Sequence, residues 1–197
     1  NSEVANKEDL FARYVGATGA FNQRGDPTWM EWTEGFSCRR EIAVKAGLFP
    51  TGFPVPICAG EDGFFGMGLR RIGARKKIDF TITVGHIAPA TLSEYWHIRK
   101  GRGKGCPQIR RFIERWAVSK IVLWAFLRIV KNLLMIAPVF PALIVTYRTL
   151  KFSKYGVRDW LPFTWAWIIE QAAFHAGEWE SIFEIMDAER YPQICNT

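Results

Sequence analysis

A chain of 197 residues with 49 % hydrophobic and 15 % aromatic residues is long enough for one modest domain with a sizeable core. The 26 Lys and Arg against 19 Asp and Glu favour an anionic partner, whether nucleic acid, anionic lipid or a phosphorylated small molecule. The four cysteines lie far apart without zinc-ligand spacing, which excludes a cysteine zinc cluster and leaves reduced thiols, so the soluble part is expected to face the cytoplasm.

Three zones separate by composition: 1–116 alternates short apolar runs with glycine and charge, 117–176 is mostly apolar and aromatic, and 177–197 is a mixed tail. The stretch Asn1–Lys7 is polar with no apolar run behind it, so it does not read as a signal peptide. Met30 is the first methionine, and the chain is expected to be a piece of a longer polypeptide. Gly25-Asp26-Pro27 reads only as a turn. A short helix is predicted over Arg39–Ala46, with Ser37 as N-cap and Gly47 in the left-handed position after it. Four Pro and Gly residues make Leu48–Ala59 a loop. Phe65, Leu69 and Ile72 recur at helical spacing, so Asp62–Ile72 is predicted helical, with Gly73 ending it. Ile78, Phe80, Ile82 and Val84 alternate, which predicts a half-buried strand over Lys77–Val84. A further helix is expected over Thr91–Lys100, after Pro89.

Glu61 and Asp62 open the second helix. Acids are favoured at any helix start, so the pair can be purely structural. A carboxylate held there is also well directed and can take a proton from an acceptor hydroxyl. The helix dipole lowers its basicity and burial beneath a substrate raises it. From Arg99 to Arg115 there are seven basic residues against Glu114, interleaved with Gly101, Gly103 and Gly105, which reads as a flexible basic loop. Such a loop can hold a diphosphate or rest on anionic lipid headgroups. Tyr95, Trp96 and His97 precede it and can stack on a sugar or pack.

Taken in order, Glu34-Gly35-Phe36-Ser37-Cys38-Arg39-Arg40-Glu41, Ala46-Gly47-Leu48-Phe49, Gly60-Glu61-Asp62-Gly63-Phe64-Phe65-Gly66-Met67-Gly68-Leu69-Arg70 and Gly73 resemble the core of family 2 inverting glycosyltransferases. The likeness runs from about Thr33 to Arg111, in the ordered set more than in any one motif. It implies an α/β fold, the acceptor-side part of a GT-A-like domain, followed by apolar membrane-associated helices. It further implies transfer of a sugar from a nucleotide-sugar donor to a glycan or lipid-linked acceptor, in cell-surface glycan or glycolipid synthesis. By the resemblance Asp62 is the catalytic base, Glu61 its neighbour in the acceptor site, and Gly60, Trp96, Arg99 and Arg102 lie on the substrate side. His86, just past the predicted strand, would complete a site for Mn²⁺ or Mg²⁺; imidazole suits Mn²⁺ better. No D-x-D triplet occurs here, and the donor's main contacts are expected before Asn1.

The apolar zone holds two segments, Ile121–Tyr147 with Pro138 and Pro141, and Trp160–Ala176 with Glu170 and His175. Neither half of the first is a convincing span alone. Basic residues flank both ends, so a re-entrant hairpin or interfacial helices fit better than a single crossing. A buried helical hairpin is the soluble alternative. A non-catalytic peripheral membrane module, bound through the basic loop and aromatic helices, is the rival function. A nucleic-acid binder fits the charge and the tryptophans but not the apolar zone.

Overall fold

The computed structural model describes residues 2–22, 36–77, 79, 81–137 and 140–190. The Gly25-Asp26-Pro27 turn, the Thr33–Gly35 start of the resemblance, and Ile78, Phe80, Pro138 and Cys195 lie outside the described residues. In chain order the elements are β1 (Ser2–Val4), α1 (Leu10–Asn22), α2 (Arg40–Ala46), α3 (Glu61–Arg71) and β2 (Val84–His86). There follow α4 (Leu92–Gln108), α5 (Val118–Ile136), α6 (Phe140–Tyr147) and α7 (Trp160–Arg190).

Among the described residues 69 % are helical and 3 % are in strand, which overturns the expectation of an α/β, GT-A-like domain. The predicted strand shows why. Of its alternating residues Ile82 and Val84 are exposed, and the ladder holds only Val84–His86 against β1, in parallel. Two short strands make no hydrophobic sheet face for a period-two pattern to bury against. The pair is lengthened by the Asn6 amide instead, which donates to the Ala88 carbonyl at 2.9 Å and accepts from its N–H at 3.0 Å.

The scaffold is α7, about 46 Å long at 1.5 Å per residue, with α1, α4, α5 and α6 laid against it. The tail from 177 as far as Arg190 and the second apolar segment are both part of it, without a break at 176. Phe11 and Tyr14 of α1, Tyr95 of α4, Ala142 of α6 and Phe163, Ala166 and Trp167 of α7 form the main core. Phe11 stacks on Tyr95 at 4.6 Å and Tyr14 meets Phe163 edge-on at 5.3 Å, arrangements that add to the burial of the rings.

The segment expected to be a flexible basic loop is helix. The Thr91 side chain accepts from the Glu94 N–H, the Glu94 carboxylate closes the capping box, and α4 then runs to Gln108. Gly103 and Gly105 serve packing. Tyr95 reaches Ala166, Arg99 reaches Glu170 and Gly103 meets Phe174, each pair four residues on from the last in both helices. The two helices therefore run parallel in register. A Cβ at Gly103 would sit 2.0 Å from the Phe174 carbonyl oxygen, and one at Gly177 1.9 Å from that of Lys100. Only glycine permits that approach.

Candidate functional site

The α4–α7 contact governs the basic segment. Arg99 is 6 % exposed; its Nε lies 3.2 Å from Glu170, whose other oxygen accepts from the Tyr14 hydroxyl at 2.9 Å. Burial opposes the Arg99 charge, but Glu170 and Tyr95 outweigh it and hold the guanidinium above its ordinary value. Burial pushes the Tyr14 phenol up, reinforced by the Glu170 charge. Lys100 pairs with Glu180, and Lys104 lies 2.6 Å from Glu180 and 2.7 Å from Glu184. Hydrogen bonds to these two carboxylates raise Lys104, and bonds from Lys100 and Lys104 lower Glu180. Arg111 pairs with Glu189. The acids of α7 thus neutralise much of the basic run, a compensation invisible until the helices are parallel.

The acidic pair stands at the other end of α4. Loop 48–59 is pinned where Gln108, fully buried, accepts the Cys58 N–H through Oε1 at 2.7 Å. Gly105 lets the Ala59 carbonyl approach to where a Cβ would be 2.2 Å away. Gly60 then turns the chain with φ 92°, against Ile109, and α3 begins. Both acids fall in its first turn, where unpaired backbone N–H groups favour negative charge. Asp62 Oδ1 accepts from the Gly63 N–H at 2.8 Å. One oxygen of Glu61 is buried without a hydrogen-bond partner. Behind them Phe65 stacks on Phe49 at 4.7 Å and meets Phe36 edge-on at 5.9 Å, which fixes the helix axis. Gly68 admits the Ala46 carbonyl at the end of α2.

Beyond Gln108 the chain forms a π-helical turn, Ile109–Ile113. Pro107, which has no N–H to donate, removes one α-helical bond just before it. Wide turns of this kind often occur at functional sites. Arg110 in this turn lies over the Trp116 and Trp124 rings at 4.9 and 5.6 Å, with one buried N–H group unbonded. The acidic turn, the π turn and Arg110 are therefore consecutive neighbours around Ile109.

The remaining expected residues lie elsewhere. Trp96 is partly exposed on α4 and lines an open apolar cleft of about 550 Å³ with Leu92, Ser93 and Ile169. Arg102 is exposed on the same helix. His86 ends β2, half-buried, its carbonyl accepting the Ala5 N–H at 2.9 Å. Among the described residues no three His, Cys, Asp or Glu side chains come together. These described residues by themselves make no divalent-cation site.

A polar chain inside the α5–α7 contact was not foreseen. The Asn132 amide donates to Gln171 at 2.9 Å and lies 2.8 Å from His175; His175 is 3.3 Å from Glu178, which faces Arg128 at 3.3 Å. Its signal was the four-residue spacing of Arg128 with Asn132 and of Gln171 with His175, polar stripes inside apolar segments. Comparison with protein-family models, with curated proteins and with solved structures finds no match to this chain.

Proposed function

We propose that this chain carries the acceptor-activating part of a sugar transferase that uses a nucleotide-sugar donor and inverts the anomeric centre. The observation that supports it most is the acidic turn. The residues that lead into it, Cys58, Ala59 and Gly60, are held by Gln108, Gly105 and Ile109, which sets where Glu61 and Asp62 begin α3. The ordered likeness from about Thr33 to Arg111 supplies the chemistry.

In this reading Asp62 takes the proton of an acceptor hydroxyl. The freed oxygen pair attacks the anomeric carbon, the bond from that carbon to the donor's diphosphate breaks, and the nucleoside diphosphate leaves with the electron pair. Glu61 lines the acceptor side of Asp62. Arg102, exposed on α4, meets the leaving diphosphate. Trp96 and its apolar cleft, about 18 Å along α4 from Gln108, suit the lipid portion of an acceptor. The protein as expressed from its gene, incubated with a panel of nucleotide sugars and membrane lipid extract, should release nucleoside diphosphate with one donor. NMR of the product should show the opposite anomer. A retained anomer, or no turnover with any donor, would overturn the proposal.

A second reading, a membrane module without catalysis, is favoured by the exposed apolar faces of α5 and α6. It predicts that Asp62→Asn changes nothing.

A further inference from the structure

The apolar zone has an inside and an outside. On α5 the residues turned to α7 are Ile121, Ala125, Arg128 and Asn132, spaced by four and three. Opposite them Leu123, Trp124, Phe126, Leu127, Leu133 and Leu134 are exposed, Leu134 at 69 %. At 100° per residue these outer side chains cover an arc of about 180°. Lys120 and Lys131, eleven residues apart, fall within about 20° of each other near one edge of that arc. On α6 the small Ala142 and Thr146 face inward, while Phe140 (70 % exposed), Ile144 and Tyr147 face out.

Charge singles out the same surface. From Arg115 to Arg158 there are eight Lys and Arg and no Asp or Glu. Taking those eight from the 26 leaves 18 basic residues against 19 acidic ones elsewhere, so the whole positive excess belongs to this segment. Lys120, Lys131, Arg148, Lys151 and Arg158 are exposed. Among the described residues no single helix is long and apolar enough to cross a bilayer, and α5 stands at 90° to the segment Phe140–Phe152. At 19 residues α5 is about 28 Å long, with cations at its start and along one edge.

We propose that the outer faces of α5 and α6 seat in one leaflet of an anionic lipid bilayer. Here α5 lies in the interface plane, its leucines and Phe126 enter the acyl region, and Lys120 and Lys131 extend their stems toward the phosphates. Trp124 and Tyr147 sit at headgroup level. The partner is a bilayer rather than a second copy of the chain, because two such surfaces would oppose like charges without a single acid between Arg115 and Arg158.

Flotation with vesicles tests this. The protein should float with phosphatidylcholine containing roughly 30 % phosphatidylglycerol, much less with phosphatidylcholine alone, and less again at high salt. Replacing both Lys120 and Lys131 by Ala should weaken binding about 25-fold, roughly fivefold for each cation. Leu127→Glu with Leu134→Glu should abolish it while circular dichroism keeps the wild-type helix content. Lipids brominated along their chains should quench tryptophan fluorescence, and Trp124→Phe should remove a measurable share of that quenching. Equal binding to neutral and anionic vesicles, quenching unchanged in Trp124→Phe, or a stable dimer that ignores vesicles would each overturn the proposal. Asp62→Asn should float as the wild type does, so failure here is separable from failure of sugar transfer.

Discussion

Replacing Gly103 by alanine sets a Cβ against backbone, because the nearest atom is the Phe174 carbonyl oxygen at 2.0 Å. That separation is about 1.4 Å short of the 3.4 Å at which ordinary contact begins, and neither side of the clash can rotate away. Overpacking of a tight site costs about 1–3 kcal/mol, and a backbone-to-backbone clash belongs at the upper end. Alanine returns about 1 kcal/mol in helix propensity, leaving a net loss of about 2 kcal/mol. Gly101, two residues earlier in the same helix, meets nothing within 4 Å. The identical substitution there should stabilise by about 1 kcal/mol. In a domain of this size each kcal/mol moves Tm by about 2–4 °C, so Gly103→Ala should lower it by about 4–8 °C and Gly101→Ala raise it by about 2–4 °C. Thermal unfolding followed by circular dichroism, with urea midpoints as a check, reads both. Effects of the same sign, or none at either position, would return the segment to a loop and refute the parallel α4–α7 packing.

Asp159 is the next test. Arg13 contacts it at 2.9 and 2.8 Å and Ser153 also donates to it. Burial alone would raise this carboxyl, yet the bonds from Arg13 and Ser153 hold it below its ordinary 3.8. A lowered carboxyl contributes stability above the unfolded value and loses it as pH falls from there through the folded value. Denaturant midpoints should therefore drop below about pH 3.8 in the wild type. Asp159→Asn should lose about 2 kcal/mol at neutral pH, because the half-buried Arg13 loses its carboxylate partner, and should lack that acid step. Gln108→Leu leaves the Cys58 N–H without its acceptor and should cost about 1–3 kcal/mol. If the clamp positions the acidic turn, it should also lower kcat with little change in acceptor KM; unchanged turnover would detach Gln108 from the site.

Local chemistry was legible where it decided structure locally. Gly47 adopts the left-handed conformation expected of it, φ 98°, and α3 spans Glu61–Arg71 against an expected Asp62–Ile72. Thr91 begins α4 through a capping box. Ser37, by contrast, does not cap α2; Arg39 precedes it without a side-chain bond. The misread parts depend on distant partners. Glycines at 101, 103 and 105 look alike in a flexible loop and in a close helix crossing, and only Phe174 and Ala59 decide between them. Glu170, carried by the second apolar segment, is the partner of Arg99 and Tyr14. The acidic pair was visible as a motif, but not the buried Gln108 that holds its loop, since the two are separated by the whole of α3, β2 and α4.

The assignment of Asp62 as the base is tested most directly by single-turnover kinetics of Asp62→Asn beside donor-binding measurements on the same protein. The account predicts that transfer falls by two orders of magnitude or more, roughly the contribution of a positioned base, while donor affinity stays within about threefold of wild type. Transfer at the wild-type rate in that variant would contradict it and leave the acidic turn a structural cap.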